Sequence, residues 1–307
     1  MKRELPGVWI SVLMAVSLCT AAQAQPGRYE RMSMEEKVAA SRNFHEHRAE
    51  AVEGFRILGN LYYVGAKDLA SYLIVTPEGH ILIDTGVSEM GSLIRENIEA
   101  LGFRMSDIRY ILASHAHFDH IQGHAVMQRL TGAQVLVMEG DADAMEAGQD
   151  LSPLGFEGWE PVKVDRRLHD GDTVELGGTV LTATLAAGHT QGCTSWSLRT
   201  IDGGKFFNVT IFGCNGPNDG VQLVNNPRFP TLIEDTMRGF DNLAKLQPDI
   251  YLTGHPEQPF DGIIDMMRTQ TRPHPLLQQQ PWQEMIADRR AAIETRVAQE
   301  RAALTER

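Results

Sequence analysis

Three histidines and an aspartate fall within six residues, His115-Ala116-His117-Phe118-Asp119-His120, directly after the apolar run Ile111-Leu112-Ala113. Imidazole and carboxylate at that density suit a divalent transition metal, zinc foremost, which takes nitrogen and carboxylate oxygen at about 2.0–2.2 Å. In extended backbone, residues i and i+2 point the same way. His115 and His117 can therefore reach one ion. Asp119 and His120 open the following helix and project in a new direction. One ion cannot readily take four ligands from so tight a segment. The spacing predicts two adjacent ions, with His115 and His117 on the first and Asp119 and His120 on the second.

Each ion then needs ligands from distant sequence. His189, in Gly188-His189-Thr190, follows the strand-like run Thr179 to Leu185, and His255, in Gly254-His255-Pro256, follows Asp249 to Leu252. Both lie just past a strand end, where Gly or Pro lets the backbone turn a ligand inward. An isolated histidine is more often structural or solvated than a ligand, and His45, His47, His80, His169 and His274 are read that way. His124 lies one turn beyond His120 on the same helix face and is read as supporting the site from behind or as a surface residue.

The surrounding elements follow from pattern and punctuation. Gly59-Asn60 and Pro77-Glu78-Gly79 separate apolar, β-branched runs and predict two hairpin turns. Helix and strand then alternate. Helices are expected over Ser92–Leu101 (stopped by Gly102), Asp119–Leu130 and Asp141–Ala147, with strands at Ile108–Leu112 and Val135–Val137. Leu151 to Trp159 reads as a loop. Short strands return at Val174–Leu176, Thr179–Leu185, Thr194–Leu198 and Phe206–Phe212. A helix over Thr231–Leu246, a strand at Asp249–Leu252 and a long charged helix over 281–307 close the chain. Two similar halves without a linker predict one α+β domain of two packed mixed sheets flanked by helices. Three strand ends meeting at one edge would form a cleft there.

Lys and Arg number 28 against 40 Asp and Glu, a formal charge of −12. That argues against a nucleic-acid partner or an anionic membrane surface. Residues 1–24 read as a signal peptide: basic Lys2-Arg3, apolar Val8 to Leu18, and the small-x-small site Ala22-Gln23-Ala24. Residues 25–307 would then form the mature domain, with an N-terminal arm, in the periplasm or outside the cell. Cys193 and Cys214 remain after cleavage. An oxidising compartment favours their pairing; a free buried thiol and a metal-ligating cysteine are the alternatives.

His-x-His-x-Asp-His resembles the signature of the metallo-β-lactamase superfamily, and the resemblance spans roughly residues 53–260, including Asp84-Thr85-Gly86, His189 and His255. It implies an αββα sandwich with a dinuclear zinc cleft. Carried over by position, His115, His117 and His189 would bind the first zinc, and Asp119, His120 and His255 the second. Asp84 would be the buried carboxylate that fixes ligand histidines from behind. Glyoxalase II and the lactonases of this superfamily carry a bridging aspartate on the strand after the third histidine, where this chain reads Ile211-Phe212-Gly213-Cys214-Asn215. Subclass B1 enzymes usually have Arg after the motif's aspartate and a cysteine ligand, whereas subclass B3 uses the histidine found here. The segment from Gly188 to Trp196 is also similar to B3 enzymes.

A subclass B3 metallo-β-lactamase is therefore expected: a monomeric hydrolase that opens the β-lactam amide of penicillins, cephalosporins or carbapenems with water activated at two zinc ions, conferring resistance. Asp119 would orient that water. Two departures bear on this. Gln122 stands where relatives often have another residue before Gly123, and B3 serines that hold the substrate carboxylate are missing near Cys214, leaving Asn215 or Asn218 to substitute. Phe156 and Trp159 would either line the cleft or pack on the sheet. The alternatives are a lactonase or thioesterase of the same fold, and a secreted zinc-binding protein without catalysis.

Overall fold

The computed structural model describes residues 48–155, 158–214, 216–256 and 262–305. The expected signal peptide, most of the arm, His45, His47, Phe156 and Asn215 lie outside these residues.

The first sheet has seven strands in chain order: β1 (Phe55–Leu58), β2 (Leu61–Tyr63), β3 (Tyr72–Thr76), β4 (Gly79–Ile83), β5 (Ile108–Leu112), β6 (Gln134–Met138) and β7 (Arg166–Leu168). The two expected turns join β1 to β2 and β3 to β4, where Leu58 pairs with Leu61 and Thr76 with Gly79. From β4 onward the pairing is parallel. Parallel neighbours need a crossover long enough to hold a helix. Those crossovers are α1 (Met90–Ala100), α2 (Phe118–Ile121) with α3 (His124–Thr131), and α4 (Glu139–Ala147). The second sheet, in spatial order β12-β11-β10-β9-β8, contains β8 (Thr173–Leu176), β9 (Thr179–Leu185), β10 (Thr194–Asp202), β11 (Lys205–Phe212) and β12 (Ile250–Thr253). Its one parallel pair, β11 with β12, is spanned by α5 (Leu232–Leu243). The chain ends with α6 (Ile263–Arg268) and α7 (Trp282–Thr305).

Strand alternation explains the layering. Ile74, Ile81, Ile83, Leu112 and Leu136 face the second sheet and pack with Leu181, Ala183, Trp196, Leu198 and Ile211. Their chain neighbours Leu73, Leu82, Ile111, Val135 and Val137 face outward and pack with Ile94, Ile98, Met127 and Met145. Phe212 and Tyr251, on the outer face of the second sheet, meet Phe240, Leu243, Trp282, Ile293 and Val297. Both faces of each sheet are covered, so the strands read as near-continuous apolar runs. The result is the expected αββα sandwich.

Three expectations need correction. The helix expected over Asp119–Leu130 is two helices, broken at Gln122-Gly123. The break seats the chain on the 85–88 loop: Gly123 N donates to Gly86 O (3.3 Å) and Ser88 N to Gln122 Oε1 (3.1 Å). A Cβ on Gly123 would stand 2.9 Å from the Thr85 carbonyl oxygen, so the approach requires glycine. Strand β7 was not expected, because Arg166-Arg167-Leu168 lacks alternation; it pairs with β6 at the sheet edge. Helix α5 stops at Leu243, three residues short of the expected end.

Candidate metal centre

Four strand ends open on one edge of the sandwich. Asp84 follows β4, Ser114 to His117 follow β5, His189 follows β9, and His255 follows β12. The two sheets are joined there: Thr194 N donates to Ser114 O (2.7 Å) and Trp196 Nε1 to Ala113 O (3.0 Å). All six residues read as ligands from the sequence converge at this edge. Ligand atoms of His115, His117 and His189 lie within 4.8 Å of one another, as do those of His115, Asp119 and His120. His255 Nε2 lies 3.1 Å from His120 Nε2 and 3.4 Å from Asp119 Oδ2. His120 Nε2 stands 3.7 Å from the same oxygen. Two ligands about 2.0–2.1 Å from a tetrahedral ion are roughly 3.3 Å apart, so this second group has the separations one zinc requires.

The outer nitrogen of each imidazole is already engaged. His120 Nδ1 faces Asp84 Oδ2 (3.0 Å), His189 Nδ1 faces Gly216 O (3.0 Å) and His255 Nδ1 faces Asp68 O (2.9 Å). These partners only accept, so the ring nitrogen donates and its other nitrogen keeps a lone pair. His115 Nδ1 lies 3.1 Å from Ser114 Oγ. That hydroxyl gives its proton to Asp84 Oδ2 (2.6 Å), so it too accepts from the ring. His117 Nε2 lies 2.9 Å from Ser152 Oγ, which accepts from Leu154 N (3.2 Å) and keeps a lone pair that the ring nitrogen can donate to. Five rings thus turn one nitrogen toward a shared space. His115 Nε2 is buried there without a hydrogen-bond partner. Facing lone pairs and an orphaned ring nitrogen fit a cation and are costly without one.

Asp84 holds both halves of the motif, accepting from Ser114 N (2.7 Å) as well as from Ser114 Oγ and His120. It does so with φ 58°, a left-handed backbone that non-glycine residues seldom adopt. The electrostatics match this arrangement. Burial, then the neighbouring rings, pushes the His115 pKa well down, and burial brings His117 to about 4. Burial alone would raise Asp119, but His120, His255 and His117 hold it at about 2. Burial would lower His120; Asp119 and Asp84 raise it instead. The centre is an ionised carboxylate among four imidazoles pushed toward their neutral form, His115, His117, His189 and His255, with His120 pulled the other way by its two carboxylate neighbours.

Several residues behind the site escaped the sequence reading. Asp141, 2% exposed on α4, accepts from Ala116 N, Thr190 Oγ1 and Gly192 N, each at 2.8 Å. Its place in a helix's first turn already accounted for an acidic residue. Ser152 and Asp68 carried no pattern at all. His124 is fully buried, with Nδ1 2.8 Å from Thr85 Oγ1, which places it behind the site rather than on the surface. His80 and His274 are buried and His169 is exposed, away from the cluster. Cys193 and Cys214 form a disulfide with Cα atoms 6.2 Å apart, so neither thiol is a ligand. Trp159 is buried in the apolar cluster with Met145 and Val162, in line with the packing alternative. Asn218 is half-buried two residues beyond Gly216, with Oδ1 unpartnered.

A family model described as the metallo-beta-lactamase superfamily matches residues 66–255. The chain belongs to the metallo-beta-lactamase superfamily. Its fold is shared with solved metallo-beta-lactamases. Native FEZ-1 from Legionella gormanii is 36% identical, with a TM-score of 0.77 over 82% of this chain and 98% of that one. BJP-1 of Bradyrhizobium japonicum, a subclass B3 metallo-beta-lactamase, is 32% identical, with a TM-score of 0.74 over 85% of this chain and 99% of its own. Among curated superfamily relatives, the hydroxyacylglutathione hydrolase of Anaeromyxobacter dehalogenans is 28% identical over 162 residues, 52% of this chain and 54% of that protein. The hydroxyacylglutathione hydrolase of Hyphomonas neptunium is 33% identical over 85 residues, 28% of this chain and 27% of that protein. The chain thus spans about half or less of the curated relatives it matches. The superfamily assignment makes the chain a metal-dependent hydrolase.

Proposed function

We propose that this hydrolase is a subclass B3 metallo-β-lactamase. The observation that carries the reading is the similarity to solved β-lactamases, a B3 enzyme among them, over 82–85% of the chain. The end of β11 supports it: Phe212-Gly213-Cys214 offers no carboxylate, and Cys214 is tied in the disulfide. His115, His117 and His189 would hold one zinc; Asp119, His120 and His255 would hold the other. Zinc in such sites supplies Lewis acidity and brings the pKa of coordinated water from about 15.7 to about 7.

The chain's own groups do the rest. Asp119, ionised across the working pH range, accepts a hydrogen bond from the attacking water and aims it at the lactam carbonyl. Asp84 and the serine hydroxyls keep the rings in the tautomer that turns a lone pair inward. Asn218, with Asn215 beside it in sequence, would receive the substrate carboxylate. The mature protein would be a single periplasmic or secreted domain acting as a monomer after cleavage at Ala24. Among the described residues no helix is long and apolar enough to cross a membrane.

A second reading, thioester hydrolysis, is favoured by the hydroxyacylglutathione hydrolase matches. Kinetics on penicillin, a carbapenem, an acyl-lactone and an acylglutathione thioester separate the two. β-Lactam turnover that chelation abolishes and zinc restores is expected. Thioester or lactone turnover without β-lactam turnover would end the β-lactamase reading.

A further inference from the structure

The first metal position draws its histidines from two different sheets, and a single side chain joins the two loops that carry them. Asp141 Oδ2 accepts from the backbone of Ala116, the residue between His115 and His117. The same oxygen accepts from Thr190 Oγ1, and Oδ1 accepts from Gly192 N, on either side of the turn that follows His189. Asp141 itself is 2% exposed. The contact is close enough to demand glycine on both sides: a Cβ on Gly140 would collide with the Gln191 carbonyl, and one on Gly192 with the Asp141 backbone. Cys193 follows at once and is fixed by the disulfide. None of these bonds reaches Asp119, His120 or His255, whose support comes from Asp84 and Asp68.

We infer that Asp141 is a positioning residue for the first metal position alone, setting the distance between the His115–His117 loop and the His189 loop. Its three partners all donate, so only a carboxylate satisfies them. In an Asp141→Asn variant the amide nitrogen must face at least one of these donors. The Thr190 hydroxyl can turn to accept, but Ala116 N and Gly192 N cannot. The two loops would part by enough to spoil a three-histidine site, while the second position keeps its own supports. Groups behind a metal site typically change affinity by about 10–100-fold when removed.

The inference rests on the two-zinc reading, and the test separates the two. The full protein is titrated with chelator-buffered zinc, and 15N spectra of the histidine rings report which rings take up metal. In the wild type, His115, His117 and His189 should respond together, and His120 and His255 together. A wild type whose first three rings ignore zinc overturns the metal reading itself. Given that response, Asp141→Asn should weaken zinc uptake at the first three rings by at least tenfold and leave the other two within twofold. Thr190→Val removes one donor without burying a new polar group. It should weaken the same three rings by severalfold, and it carries the test alone if Asp141→Asn does not fold. Equal weakening of both positions, as general destabilisation would produce, or a change below twofold at the first, overturns the role of Asp141.

Discussion

At the scale of single residues, the candidate ligands differ little from ordinary buried histidines except in what stands behind them. His80 and His274 are as buried as His117, yet among the described residues only the five site rings each have an outer nitrogen held and an inner nitrogen turned toward the others. For His117 that hold is the Ser152 hydroxyl, carried by a loop. Ser152→Ala leaves His117 Nε2 without an acceptor and its ring free to take the other tautomer. We expect zinc affinity at the first position to fall by about tenfold, with the apo melting temperature changed by only a few degrees. Chelator competition and a thermal melt of the same preparation check both. Unchanged affinity would show that His117 is oriented by its backbone alone. Ser152 was not legible in the sequence because a serine in a polar loop has no pattern to break.

At the scale of elements, strand ends and their loops make the site, and one loop system ties them to the far layer. Arg228 donates to the Asp150 and Ser152 carbonyls, each at 2.9 Å, and so holds the loop that carries Ser152. Arg296 and Glu300 on α7 grip the same 216–228 segment, with Arg296 donating to Pro217 O and Asn218 O (3.0 Å each) and Glu300 accepting from Leu223 N and Val224 N (2.8 Å each). The disulfide closes the start of β10 onto the end of β11 across 21 residues of sequence separation. Constraining the unfolded chain over such a loop contributes about 3 kcal/mol. Replacing both cysteines with serine should lower unfolding free energy by about that amount in a denaturant titration, with a larger fractional loss of zinc at His189 than at His255. The pairing was legible from two cysteines and the expectation of export. The grip of α7 was not, because its Arg and Glu look like any charged helix face.

At the scale of the whole molecule, the cluster makes stability depend on pH in a definable direction. Burial brings His124 to about 4, and His117 to about 4, from ordinary values near 6.5. At these two rings the unfolded chain binds more protons than the native state between those values, so their contribution is full above about 6.5 and is lost as pH falls toward about 4, while His120, raised by Asp119 and Asp84, and Asp141, raised by burial to about 6, work in the opposite direction. The metal-free protein should melt at least about 5 °C lower at pH 5 than at pH 7.5, and zinc should steepen the difference because protons compete for its ligands. Differential scanning calorimetry of apo and zinc-loaded protein at both pH values measures this. An apo protein with the same melting temperature at both would mean that these rings are not buried neutral.

The architecture and a His-rich candidate metal site were legible in the sequence alone. The spacing in His115-x-His117-x-Asp119-His120 is local, and backbone geometry converts it directly into direction. The apolar runs and their turns are local as well, so strands, hairpins and most helices could be read in place. His189 and His255 were legible only as residues past strand ends. What the tertiary structure decided is everything that depends on which loops meet. It set the break at Gly123, made by the approach of Thr85, and the burial of Trp159 among Met145 and Val162. It gave each ring its hydrogen-bond partner, and it placed Asp141 against loops that follow strands of both sheets. Hydrogen bonds between residues 25–76 positions apart, such as Asp141 to Ala116 and Arg228 to Ser152, leave no mark on either segment by itself. They exist only once the chain has folded and brought the loops at the strand ends together.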